Sequence, residues 1–145
     1  MSSSLANISK LKVFLVLLSA IVLISVYLLQ RFNYAGVLAY ILSTEMVNHN
    51  VEFIINRTLR LIINDLAVIL LLYALFNDKG LLKLAFSIQF FEILVILPIY
   101  FYLKLLSEGP SEISSPLLSF IHRIVVNPII MLLLIPAFWF QKKSS

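Results

Sequence analysis

The chain has 145 residues, room for a single domain, and is 61% apolar and only 12% charged; a soluble domain this short cannot hide so much apolar surface in one core, so lipid must cover the rest. Its 11 Lys and Arg against 7 Asp and Glu give a formal +4, but the basic residues stand singly or in pairs at the ends of apolar runs, with no stripe to follow a phosphate backbone, which argues against nucleic acid as a partner. The absence of cysteine excludes disulfides, thiolate metal sites and a thiol nucleophile within this chain.

The first apolar run, Val13 to Leu29, follows Lys10 and Lys12. It exceeds the usual apolar region of a signal peptide, and no small-x-small site follows at Gln30 and Arg31, so it reads as a retained anchor. In the long connection from Gln30 to Asn56, the residues Tyr34, Val37, Leu38, Ile41 and Leu42 fall on one helical face. A segment so short, flanked by Asn33, Ser43 and Glu45, reads as an interfacial helix. Asn48, His49 and Asn50 read as a turn.

The second span occupies residues 57–76, entered through Arg57, Arg60, Asn64 and Asp65. Asn77-Asp78-Lys79-Gly80 is a tight turn of the kind that joins antiparallel neighbours. The third span, residues 81–106, contains Gln89, Glu92 and Pro98 and is followed by a polar loop with Glu108, Gly109, Pro110 and Glu112. Ser115-Pro116 opens a fourth helix, with a capping hydroxyl and proline in the first turn. That span, residues 116–140, holds His122, Arg123, Asn127, Pro128 and Pro136 and ends in Trp139, Phe140, Lys142 and Lys143, an aromatic and basic anchor. The expected fold is therefore all-α: an integral membrane four-helix bundle with spans at residues 13–29, 57–76, 81–106 and 116–140 and a short interfacial helix in the outer loop between the first two.

Lys10, Lys12, Lys79, Lys83, Lys142 and Lys143 would share one end of such a bundle, and Arg31, Arg57, Arg60, Lys104 and Arg123 the other. The short lysine-bearing segments favour the cytoplasm, so both termini are expected inside a bacterial inner membrane.

The polar residues within the spans are the candidate site. A charge at the bilayer centre costs about 2.5–3.5 kcal/mol on insertion scales, so such groups should turn inward and find partners. Arg57, Arg60 and Asn64 step by three and four with Asp65 beside them; Gln89 and Glu92 share a face with Tyr100; Arg123 and Asn127 share another, next to His122. These residues are expected to form one buried cluster in the outer half, with Arg57 or Arg60 meeting Glu92 or Asp65, and Arg123 meeting Asp65 or Glu92. Pro98 and Pro128 would free carbonyls at Leu94 and Ile124 as further acceptors. The cluster serves equally to lock helices in register or to bind a partner. His49, His122 and the carboxylates have no metal-site spacing, no phosphate-binding glycine loop or hydrolase motif is present, and no cofactor is expected.

Two stretches, NRTLRLIINDLAVILLLYALFNDKGLLKLAF in the middle and HRIVVNPIIMLLLIPAFWFQKK near the C terminus, resemble the exosortase F system-associated membrane proteins of Bacteroidota. The Arg-Asn entry to the second helix, the N-D-K turn, and the N-P and L-I-P-A-F elements carry the resemblance; the first span and outer loop match only in character. It implies an accessory role beside a multi-pass transpeptidase that uses cysteine, arginine and histidine to cut C-terminal sorting signals on the outer face. A chain without cysteine cannot be that transpeptidase. The expected function is thus a non-catalytic partner that binds the sorting enzyme or its substrate through its membrane helices. The alternatives are a small proton-coupled transporter working through Glu92 and, less supported, an intramembrane enzyme pairing His122 with Asp65 or Glu92.

Overall fold

The computed structural model describes residues 2–45, 48–107 and 115–144, with side chains described from Ser9 onward. The polar loop containing Glu108, Gly109, Pro110 and Glu112 lies outside the described residues. The described chain is all helical: α1 (Ser2–Leu28), α2 (Tyr34–Leu42), α3 (His49–Phe76), α4 (Lys79–Phe91), a π-helical stretch Glu92–Ile96 continuing into α5 (Leu97–Ser107), then α6 (Pro116–Val126) and α7 (Ile129–Ser144). Three helices are long and apolar enough to cross a membrane, Ser9–Leu28, His49–Phe76 and Lys79–Ser107, and α6 with α7 forms a fourth candidate bent by 66°. A helix of about 20 residues suffices for a hydrocarbon core of about 30 Å.

The local chemistry explains the boundaries. Asn48 caps α3 by accepting the Asn50 N–H at 2.9 Å, so the polar triplet expected as a turn is a cap and the first helical turn. Asn77 ends α3 in the left-handed region, φ 49°, a conformation asparagine tolerates. Asp78 then caps α4 by accepting the Leu81 N–H at 2.8 Å, so the expected tight turn needs only two residues outside helix. The short helix between the first two spans is α2, as expected; Asn33 caps it, and the Asn56 side chain accepts the Ala35 N–H at 2.8 Å, fastening it to α3.

α3 is the axis. α1 runs antiparallel to it, with Leu23 packed beside Val68 and Gln30 near Arg60. Two apolar cores lie along α3. One gathers Val68, Ile69 and Leu72 with Leu81, Ala85 and Met131, closed by an edge-on contact of Phe76 and Phe138 at 5.0 Å. The other gathers Leu61 with Leu97, Tyr100, Leu118 and Val125. α6 packs at the second core and α7 at the first, so the bent pair travels the length of α3 and does not return to its starting end. The start of α1, the end of α7 and the Asn77 turn therefore lie toward the same end, together with Lys79, Lys83, Lys142 and Lys143.

The fourth span departs from the continuous helix expected. Asn127 is extended, at φ −115° and ψ 138°, because proline at 128 disfavours helical geometry in the residue before it and brings no N–H of its own.

Candidate functional site

A polar layer separates the two apolar cores. On α3, Asn64 and Asp65 lie between Leu61 and Val68; in the third span, Gln89 and Glu92 lie between Ala85 and Leu97. All four are buried, Asp65 at 1% and Glu92 at 2% exposure. At 1.5 Å per residue, Asp65 lies about 16 Å along the helix from Phe76, near the middle of a 30 Å hydrocarbon layer. Both backbone irregularities occur at this level: the π-helical stretch that begins at Glu92 and the break at Asn127–Pro128.

Asn64 answers the break. Its Nδ2 donates to the Val126 carbonyl at 2.9 Å. In hydrocarbon an unbonded carbonyl costs several kcal/mol, so this contact satisfies the last carbonyl of α6 and ties α3 to the fourth span. The carbonyl expected as acceptor was that of Ile124; the observed acceptor lies two residues later and its donor is an amide. Ahead of Pro98 the helix instead widens: Leu97 N–H bonds to the Glu92 carbonyl, five residues back.

The two carboxyls meet each other. Asp65 and Glu92 are within side-chain hydrogen-bonding contact, and no N–H or O–H of the described residues reaches Asp65 Oδ2 or Glu92 Oε2. A carboxylate only accepts, so a hydrogen bond between two carboxyls places a proton on one of them.

The arginines do not join this layer, which corrects the ion pairs expected from the sequence. Among the described residues the one ion pair is His49 with Glu52, at 3.5 Å. Arg57 is half-buried, its guanidinium 5.3 Å from the Phe53 ring centroid. Arg60 is 3% exposed, reaches the Gln30 carbonyl at 3.5 Å, and leaves its Nε without a partner. Arg123 is exposed on α6 and Asn127 is half-buried at the break. His122 is half-buried and shares a hydrogen bond of 2.8 Å between its Nδ1 and the hydroxyl of fully buried Tyr100. The single cluster expected in the outer half thus resolves into a middle layer of Asn64, Asp65, Gln89 and Glu92, and an upper tier of Arg57, Arg60 and His122, with Arg123 outside both.

Sequence reasoning passed over Lys104 as a flanking cation, yet it is buried at 1% exposure. Its spacing of four from Tyr100, on the face of Leu97, was the available signal. It also missed the network that joins the α1–α2 connection to α3, where Asn33 Nδ2 donates to Glu52 Oε1 at 2.7 Å and Asn56 Nδ2 donates to Asn33 Oδ1 at 3.2 Å. Among the described residues no group of three His, Cys, Asp or Glu could hold a metal ion.

Comparison with family models, with curated proteins and with solved structures finds no match. What the chain displays by itself is a multi-span helical membrane protein with a polar layer inside it.

Proposed function

We propose that this chain is a non-catalytic accessory protein of an exosortase-type sorting system, holding the sorting enzyme or its substrate through its membrane helices, with both termini in the cytoplasm of a bacterial inner membrane. The observation that supports this reading most is Arg123, an exposed cation on a membrane helix. A charged group facing hydrocarbon is costly, and an acidic or polar partner helix at that face would remove the cost. On α1, Phe14, Leu17, Ile21 and Ile24 point outward, adding an apolar face on which a second membrane helix can lie. The resemblance of the middle and C-terminal stretches supplies the identity of the partner, and the lack of cysteine is consistent with it.

The test is a photo-crosslinking residue placed at Arg123 in cells that also make the sorting enzyme and a sorted substrate. An adduct with either is the expected product, and Arg123→Gln should lower sorted output several-fold. Crosslinks to lipid alone, with sorting intact in the variant, would remove the proposal.

One observation favours a second reading, proton-coupled transport. An arginine beside Glu92, as expected from the sequence, would hold it ionised and oppose this role; no arginine reaches Glu92, and Asp65 does. A buried carboxyl pair that shares a proton is the kind of group a proton-coupled transporter exchanges within a membrane. Purified protein in liposomes under a pH gradient should then pass protons with its substrate, and Glu92→Gln should abolish the flux; a variant with unchanged flux would eliminate this reading.

A further inference from the structure

The upper tier contains a charge that meets no carboxylate among the described residues. Arg60 lines a cleft of about 200 Å³ together with Leu23 and Tyr27 of α1, Asn64 of α3, and Asn127, Pro128 and Leu132 at the break of the fourth span. Its guanidinium is always charged and carries five N–H donors. Here the Nε has no acceptor, and the one described contact, to the Gln30 carbonyl, is long at 3.5 Å.

The carboxylates that could neutralise it are engaged elsewhere. Asp65, on the same helix, is turned to Glu92. Glu52 accepts from Asn33 and pairs with His49. Arg57, one turn before Arg60, adds a second positive charge. A buried cation with no counter-ion is a large energetic deficit, and an anion seated in the cleft would cancel it. Two further side chains that carry donors line the cleft, Asn127 with its carboxamide and Tyr27 with its hydroxyl, and neither side chain bonds to another described residue.

The position selects the kind of anion. Arg60 lies about 24 Å along α3 from Phe76, at 1.5 Å per residue, so it sits close beneath one face of a hydrocarbon layer of about 30 Å. The cleft walls are Leu23, Leu132 and Pro128, and both Tyr27 and Leu132 are exposed on the outer surface of the bundle. The opening therefore faces lipid, at a depth where a phosphate can meet the guanidinium while acyl chains follow Leu23 and Leu132.

We propose that the cleft between α1, α3 and the broken fourth span binds the phosphate of an anionic phospholipid, with Arg60 as its charge partner and Asn127 and Tyr27 as additional donors. This site is independent of the sorting and transport readings; it exists whether or not either holds.

The experiment uses the full chain in nanodiscs of phosphatidylcholine alone, of phosphatidylcholine with phosphatidylglycerol, and of phosphatidylcholine with added inorganic phosphate. Thermal unfolding is followed in each, and lipid retention is read by native mass spectrometry. Phosphatidylglycerol should raise the Tm by several degrees and remain bound as one copy per chain, while inorganic phosphate leaves the Tm unchanged. Arg60→Gln should lose both the shift and the bound lipid. Leu23→Trp, which fills the cleft and keeps the arginine, should keep the phosphatidylcholine Tm and lose the shift, so the test stands even where Arg60→Gln does not fold. Equal Tm in the first two nanodiscs, or a shift reproduced by inorganic phosphate, would overturn the assignment.

Discussion

The third and fourth spans each carry a proline close to the polar layer, and they respond in opposite ways. Ahead of Pro98 the helix widens into a π-helical stretch and continues as one rod from Lys79 to Ser107. At Pro128 the helix stops, Asn127 becomes extended, and the axis turns by 66°. The difference lies in where the released backbone groups go. Next to Glu92 the chain supplies its own solution by shifting to bonds five residues apart. At the break the Val126 carbonyl has a donor waiting on a neighbouring helix, so the backbone can open without leaving that acceptor bare. A proline in a membrane helix removes one bond; the surroundings decide whether the helix bulges or breaks.

That comparison can be broken most forcefully at the polar layer itself. Asp65→Leu leaves Glu92 alone among apolar side chains and should cost about 3 kcal/mol, the upper end for leaving a buried polar group without its hydrogen bond. Asp65→Asn, whose amide donates to Glu92, should stay within about 1 kcal/mol of the parent. Equilibrium unfolding in mixed micelles reads both, and equal losses would mean that the carboxyl contact contributes nothing.

Next in size is Asn64→Leu. It removes the donor at Val126 and leaves that carbonyl open, for a loss of about 2 kcal/mol. Combined with Pro128→Ala, which restores an N–H and lets the helix close, the loss should shrink by about half. Simple additivity in that double-mutant cycle would show that the amide and the break are not coupled.

Pro128→Ala alone should change shape more than stability. Because the chain lacks cysteine, spin labels can be placed through Leu117→Cys and Phe140→Cys without background, and the distance between them should lengthen as the bend relaxes. An unchanged distance would assign the bend to packing rather than to proline. The smallest effect is expected of Tyr100→Phe, which loses the hydrogen bond to His122. Interhelical bonds of this kind average about 0.6 kcal/mol in bilayers, and a loss well above that in the same unfolding assay would mark the pair as part of a larger network.

These outcomes also explain what could be read in advance. The apolar runs, the lysine-bearing ends, the Asn77-Asp78 turn and the face of α2 follow from hydrophobicity and local capping, which act within a few residues. The partners did not follow. Periodicity places Arg60, Asn64 and Asp65 on neighbouring positions of α3, but it leaves open which adjacent helix each one meets and at what height. A rotation of one residue position separates Asp65, turned to Glu92, from Asn64, turned to Val126. Arg123 shares α6 with His122, yet that same rotation carries it to the outside while His122 reaches Tyr100. Pairing arginine with carboxylate was the reasonable electrostatic guess. It failed because the carboxyls sit about one helical turn deeper than Arg60, against the third span.

The polar contact of Ser19 inside α1 bears on how the protein is made. Ser19 is buried, and its hydroxyl donates to the Leu15 carbonyl of its own helix at 2.7 Å, so α1 needs nothing from later segments to rest in lipid. α3 differs: Asn64 and Asp65 find their acceptor and their companion only on stretches translated afterwards. The first helix can leave the translocon alone, whereas the second must be retained beside it, or shielded, until the ribosome has delivered Val126.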